Sequence, residues 1–363
     1  MEEKLQVDSG VFYLKRYPVT SDKSLRAWSN AELLAYDYIT NKRNTTVYLY
    51  NDRFGVWNCL LNKEKVVTVY TYASQKKAIL KNLEENNFST DIKFNTALDT
   101  LSNVSLVLLK IPKSLELFHL FLQQIYNGAT ADVEVVCTFM VKYFSDSFLK
   151  IANIYFEEVI QTKAWKKARL LILKKPNKDI LVEELMNSFE FKEKEFKQYY
   201  GVFSAKGVDI GTRFFLEHLY VGEKETNVLD LASGNGIIAN EVLKLQKEAR
   251  VTLLDDFNLA IASSRLNLDE NRADFVCANN LSSFKTEEFD LVVSNPPFHF
   301  EHENNIEVAL SLFKDVERCL KLNGRFMLVA NVHLNYKTHL LKLFKSVKIV
   351  VTNKKFVVYN CLK

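Results

Sequence analysis

The chain runs twice through the same order of strand, turn, strand and helix, and few folds accommodate that order. In the first half, Thr46-Val-Tyr-Leu-Tyr50 reads as a strand leading into Asn51, Asp52, Arg53, Phe54 and Gly55. Lys65-Val-Val-Thr-Val-Tyr-Thr71 reads as a second strand, and Val104-Ser-Leu-Val-Leu-Leu-Lys-Ile111 as one stopped by Pro112. Between them, the apolar residues from Ser74 to Leu83 have helical spacing behind a capping serine. In the second half, Asn227-Val-Leu-Asp-Leu231 enters a turn with Gly234 and Gly236. Arg250-Val-Thr-Leu-Leu254 ends at Asp255, Leu259 to Leu266 has helical spacing, and Phe289-Asp-Leu-Val-Val-Ser294 runs into Asn295-Pro296-Pro297-Phe298. Strands alternating with helices predict βαβ units and a mostly parallel sheet in each half. The expected fold is a duplicated, doubly wound α/β architecture with domains at residues 1–180 and 195–363. The polar stretch between Pro176 and Glu195 is expected to be a linker with a helical segment.

A length of 363 residues suits two domains of ordinary size. No apolar run reaches the roughly 18 residues that cross a membrane, and the polar start Met1-Glu-Glu-Lys lacks a secretory core. Cys59, Cys137, Cys277, Cys319 and Cys361 are odd in number and scattered, which predicts reduced thiols in a cytoplasmic protein, with no disulfide framework and no zinc site. The net charge is only +4, but no acidic residue follows Glu317, while ten basic ones do, from Arg318 through Lys354 and Lys355 to Lys363. Lys163, Lys166, Lys167, Arg169, Lys174, Lys175 and Lys178 form a second cluster. Such one-sided charge is the footprint of a polyanion-binding surface, or else a solvated face.

The halves differ where chemistry would take place. Asp230-Leu-Ala-Ser-Gly234-Asn-Gly236-Ile-Ile-Ala239 fits the glycine pattern of a nucleotide turn, which nicotinamide-binding folds share. Asp230, four residues before Gly234, would meet a cationic ligand, whereas dinucleotide turns approach an anionic pyrophosphate. S-adenosylmethionine carries an ammonium and a sulfonium and no phosphate, so it is the expected cofactor. Asp255 at the next strand end is placed to accept the ribose hydroxyls, with Asp256 as its competitor. Asn279 after Phe275-Val-Cys-Ala is a candidate for the adenine edge, or closes a turn.

Two prolines end a strand abruptly, so Asn295-Pro296-Pro297-Phe298 exposes an amide, fixed carbonyls and a ring. The Asn295 oxygen and the Pro296 carbonyl can accept both protons of a planar exocyclic amine, and Phe298 can stack on the base. This predicts methyl transfer to a conjugated nitrogen; the alternative is a structural turn. His299, Glu301 and His302 follow without metal-site spacing. The first half has Lys110-Ile-Pro-Lys113 at this place, which cannot form the clamp; Lys110 and Lys113, with Lys166, Lys167 and Arg169, are candidates for RNA phosphate.

Gly201-Val-Phe-Ser204, Asp209-Ile-Gly211, Asp255-Asp256 with Ala262-Ser-Ser-Arg-Leu-Asn267, and Asn295-Pro-Pro-Phe-His299 resemble the two-domain ribosomal RNA guanine-N2 methyltransferases. Thr162-Lys-Ala-Trp-Lys-Lys-Ala-Arg169, Ala330-Asn-Val-His-Leu-Asn-Tyr336 and Thr352-Asn-Lys-Lys-Phe-Val-Val358 resemble its large-subunit (23S) branch, whose sister acts on 16S RNA. The resemblance spans nearly the full length. It implies two tandem Rossmann-like class I methyltransferase domains. The first would be degenerate and serve RNA recognition and stability. The second would be a seven-stranded, mostly parallel sheet with an antiparallel last strand. It further implies S-adenosylmethionine-dependent formation of N2-methylguanosine in 23S ribosomal RNA. The protein is expected to be cytoplasmic and to use neither membrane nor metal; its oligomeric state is open, with a monomer favoured. The cofactor positions of the family fall on Asp230, Gly234, Gly236, Asp255 and Asn279, and the target-amine position on Asn295. This chain has Ala232-Ser233 where relatives carry Gly-Cys, and alanine fits only where the backbone does not need φ > 0. Other readings are a 16S guanine-N2 enzyme, a protein glutamine-N5 or DNA adenine-N6 methyltransferase, and a non-catalytic ribosome-assembly protein.

Overall fold

The computed structural model describes residues 3–19, 22, 24–42, 45–178, 180–296 and 306–363. The chain divides into two compact units, Met1–Leu185 and Met186–Lys363. Each contains a seven-stranded sheet of the same design. In the first unit the order across the sheet is Lys93–Asn95, Val66–Val69, Val47–Tyr50, Val104–Lys110, Ala129–Met140, Ala168–Pro176, Phe156–Gln161. In the second it is Ala273–Cys277, Arg250–Asp255, Asn227–Leu231, Phe289–Ser294, Leu320–Asn331, Phe356–Leu362, Ser346–Thr352. The last strand in sequence, Phe356–Leu362, runs antiparallel to both neighbours, as Ala168–Pro176 does in the first unit. The expected mostly parallel sheet with an antiparallel last strand is therefore present.

The central strands are apolar because both of their faces are covered. Val228, Leu291, Val293, Met327 and Val358 pack under the helices Ile210–Leu216 and Ile237–Leu245 on one face. Leu229, Val292, Phe326, Leu328 and Tyr359 pack with Phe313 and Tyr336 on the other. Asn227–Leu231 has Arg250–Asp255 on one side and Phe289–Ser294 on the other, so the strand order reverses there. Open α/β sheets take ligands at the carboxyl ends of the strands at such a point.

Two local expectations are corrected. The stretch after Pro176 forms no helix among its described residues, and Met186–Phe191 pairs with Lys194–Tyr199 in a hairpin. The second unit therefore begins at Met186 and not at 195. The reason is burial: Phe189 and Phe191 pack on the core of the second unit, and Phe189 stacks on Phe196 with ring centroids 5.9 Å apart. Ser74 does not cap its helix, which is Ala73–Glu85 with Tyr72 at the cap. Ser74 is buried inside it, and its Oγ accepts from Arg53 Nη2 at 3.1 Å.

Candidate active site

The turn after Asn227–Leu231 is built by backbone bonds to the neighbouring strand. The Ala232 and Ser233 N–H groups both donate to the Leu254 carbonyl, at 2.8 and 3.1 Å. The chain then turns through three left-handed residues, Ala232 (φ 60), Gly234 (φ 56) and Gly236 (φ 82), and enters the helix Ile237–Leu245 at Gly236. Alanine thus occupies a position that needs φ > 0, at a cost of roughly 1–2 kcal/mol that glycine would not carry.

Two aspartates are tied to this turn. Asp230 is 0% exposed, and its Oδ2 accepts from the Ala239 N–H at 2.9 Å, inside the first turn of the helix. Its Oδ1 is buried with no hydrogen-bond partner among the described residues. Burial raises its pKa to about 7, and Asp255 adds to the rise. Asp255 ends the next strand; its Oδ2 accepts from the Gly234 N–H and its Oδ1 from the Phe257 N–H, each at 2.9 Å. Burial raises Asp255 to about 6. Asp256 lies one residue further on, half-buried. Asn279 sits in a bend just beyond the strand Ala273–Cys277, at the same carboxyl edge of the sheet. The expected cofactor residues therefore share one edge, and Asp230, Asp255 and Gly234 are bonded into the turn.

These residues fit a cationic ligand without phosphate. The Gly234 N–H, which a dinucleotide turn would offer to phosphate, is occupied by Asp255. Two carboxylates with raised pKa values would repel an anion and be relieved by a cation. A Cβ at Gly234 would meet nothing within 4 Å, which leaves room for a ligand against the turn. A Cβ at Gly236 would lie 2.9 Å from Leu268 Cδ1, so that glycine serves packing.

The clamp lies on the strand beside this turn. Ser294 Oγ donates to the Leu231 carbonyl at 2.7 Å, tying the two strand ends together. Asn295 follows, half-buried, and its Nδ2 donates to Thr212 Oγ1 at 2.8 Å. Among the described residues, no donor reaches its Oδ1. Thr212 is held in place by Asp209, which caps the helix Ile210–Leu216 and accepts from the Gly211 and Thr212 N–H groups at 2.8 and 3.1 Å. Pro296 is buried. Pro297, Phe298, His299, Glu301 and His302 lie outside the described residues, and with them the ring expected to stack on the base.

Sequence reasoning missed Thr212, Gln198 and Asn235. Gln198 is fully buried; its Oε1 accepts from Asn235 Nδ2 at 2.8 Å, and its Nε2 donates to the Val202 carbonyl at 2.9 Å. This links the glycine turn to the segment from Gly201 to Ser204. The partners are far apart in sequence, so no local pattern signals them.

In the first unit the same turn is closed off. Asn51 (φ 56) and Gly55 (φ 76) keep the left-handed conformations that open and end the second turn. Arg53 stands where the second unit has Gly234, is buried, and packs 4.9 Å from the Tyr72 ring centroid. Asp52 folds back on the helix Val56–Leu60, accepting from the Val56 and Asn58 N–H groups at 2.8 and 3.0 Å.

The candidate RNA residues line the carboxyl edge of the first sheet. Lys110 ends the strand Val104–Lys110, but its Nζ is held by buried Glu32 at 2.6 Å, so its charge is already engaged. Lys113 is exposed beyond it. Lys166 (φ 45) and Lys167 (φ 67) form a two-residue hairpin turn closed by Trp165 and Ala168, with Lys166 Nζ 4.6 Å from the centre of the Trp165 ring. Arg169 lies one residue inside the strand and donates to Gln161 Oε1 at 3.0 Å. Among the described residues there is no group of three or more His, Cys, Asp or Glu that could hold a metal, and no helix long and apolar enough to cross a membrane.

Residues 2–178 match the RLMG N-terminal domain, and residues 193–360 match the methyltransferase small domain. Among solved structures, the chain is similar over 99% of its length, and over 97% of the other chain, to a T. thermophilus 16S rRNA N2 G methyltransferase (RsmC) in complex with AdoMet and guanosine, with a TM-score of 0.80 and 18% identity. A methyltransferase from Pyrococcus furiosus is 21% identical over 42% of this chain and 82% of that one, with a TM-score of 0.36. This chain joins an RLMG N-terminal domain to a methyltransferase small domain, and it is a methyltransferase.

Proposed function

We propose that this protein methylates the exocyclic N2 of a guanosine in 23S ribosomal RNA. The cofactor is S-adenosylmethionine, which supplies an electrophilic methyl group on a sulfonium. The observation that carries the reading is Asn295: its amide nitrogen is taken by Thr212, no donor among the described residues reaches its oxygen, and it follows the strand beside the cofactor turn.

Asp230, Gly234, Gly236, Asp255 and Asn279 would hold the cofactor, Asp255 at the ribose and Asp230 toward the cationic end. The guanine N2 lone pair is delocalised into the ring. Hydrogen bonds from its two protons to Asn295 Oδ1 and the Pro296 carbonyl favour a pyramidal nitrogen with its lone pair directed at the methyl group. The new N–C bond forms as the C–S bond breaks, the sulfur keeps the electron pair, and one amine proton passes to solvent. Orientation and preorganised acceptors supply the rate, without a strong base. Phe298 would stack on the base, contributing roughly 1–3 kcal/mol.

Two things support ribosomal RNA: the solved relative is described as an rRNA N2 G methyltransferase with guanosine bound, and the basic carboxyl edge of the first unit carries Lys113, Lys166, Lys167 and Arg169. The large-subunit target is favoured by the RLMG N-terminal domain over residues 2–178 and by the three sequence stretches of that branch. Mass mapping of ribosomal RNA from cells lacking the protein tests this. Loss of one N2-methylguanosine from 23S RNA is expected; loss from 16S RNA alone would contradict the large-subunit assignment.

Asp230 makes a pH prediction. In the free protein its carboxyl titrates at about 7, raised first by burial. Because its folded value lies above its unfolded one, the stability it contributes is lost as pH rises through that range. A cation beside it reverses the preference. The advantage of the wild type over Asp230→Asn in binding S-adenosylmethionine should grow as pH rises toward about 7 and level off above it. Isothermal titration across this range checks it; parallel curves for the two proteins would show that Asp230 does not face the cationic ligand.

A further inference from the structure

We infer that Thr212 is a positioning residue, which holds the Asn295 amide with its nitrogen inward and its oxygen toward the target amine. The inference rests on the guanine-amine reading above. An asparagine amide has one accepting end and one donating end, and only the accepting end can meet an amine proton. With the oxygen occupied by the amine, the nitrogen needs an acceptor, and Thr212 Oγ1 provides it at 2.8 Å. Thr212 is 7% exposed and is the third residue of a helix whose cap, Asp209, bonds its backbone, so the acceptor sits on a fixed support.

The first unit supplies an independent comparison. Lys110 and Asn295 hold the same place, because each follows the residue that pairs with the last residue of the first strand: Leu109 with Tyr50, and Ser294 with Leu231. Glu32 and Thr212 hold the same place on the helices, each the third residue after the cap. Where the strand tip is asparagine, its helix partner is a neutral acceptor; where the tip is lysine, the partner is a carboxylate at 2.6 Å. Both members of the pair differ between the units, and each pair is chemically matched. The helix residue therefore answers to the strand tip, and in the second unit it answers to Asn295.

The test is single-turnover methylation of ribosomal RNA by the full chain, with cofactor binding measured separately. Thr212→Val should slow transfer about tenfold to a hundredfold, as small misplacements of a reacting group do. Thr212→Ser should restore transfer to near the wild-type rate, which a merely structural role of the threonine methyl would not produce. In an Asn295→Ala background, Thr212→Val should cause no further slowing, because both changes remove one contact. Wild-type transfer by Thr212→Val, or effects that multiply in the double variant, would overturn the inference. If the wild type methylates no ribosomal RNA, the guanine reading fails, and side-chain amide exchange in selectively 15N-labelled protein still decides this one. Faster exchange of the Asn295 amide in Thr212→Val supports the contact; equal exchange overturns it.

Discussion

Asn295→Ala should slow methyl transfer by about 10²–10³-fold while leaving cofactor affinity at the wild-type level, as removal of one preorganised transition-state contact does elsewhere. The separation follows from the bonding. Asp230 is tied to Ala239, and Asp255 to Gly234 and Phe257; neither bond involves Asn295. The Asn295 side chain bonds instead to Thr212 on a different helix. Truncation thus removes the acceptor for the target amine without disturbing the turn. Single-turnover kinetics with cofactor titration measures both quantities. Transfer at the wild-type rate would reduce Asn295 and its prolines to a turn; a parallel loss of cofactor affinity would place Asn295 at the cofactor instead.

The second large effect is on stability. Gly236→Ala puts a Cβ at φ +82, 2.9 Å from Leu268 Cδ1, 3.1 Å from Ser264 Cβ and 3.2 Å from Leu253 Cδ2. The left-handed backbone costs about 1–2 kcal/mol and the overpacking about 1–3 kcal/mol, so the second unit should lose about 2–5 kcal/mol. Hydrogen exchange across the helix Ile237–Leu245 reports this loss directly. Gly234→Ala is the contrast. Its Cβ enters open space at φ +56, so only the backbone penalty of about 1–2 kcal/mol applies, and the larger loss should be in cofactor affinity. Unchanged exchange in Gly236→Ala would mean that the helix and Leu268 give way without cost.

Much of the fold was legible because the signals are local. Leu231 ends its strand where expected, and Asn295 follows its strand as the proline pair predicts. The register of the two halves was legible too: the strand tips Lys110 and Asn295 coincide as their positions in the sequence suggested. What failed was context. Ser74 has the chemistry of a cap, but Tyr72 begins the helix and buried Arg53 claims the serine. Met186–Phe191 looked polar and mixed, yet Phe189 and Phe191 pack as a strand does, because their partners on Lys194–Tyr199 complete the hairpin. Lys110 was read as an RNA contact, and nothing near it in sequence shows that Glu32 holds its charge. Thr212 and Gln198 were invisible for the same reason: they act on Asn295 and Asn235 across separations of 83 and 37 residues. Ala232 showed the reverse, a departure from a glycine pattern that the structure accepts at φ 60.

The most direct measurement is methylation of unmodified ribosomal RNA by the purified chain with labelled S-adenosylmethionine, followed by nucleoside mass spectrometry. The account predicts label in N2-methylguanosine from 23S RNA, accumulating about 10²–10³-fold more slowly when Asn295→Ala replaces the wild type. Label in N6-methyladenosine or in protein glutamine, or none in any nucleoside, would contradict it.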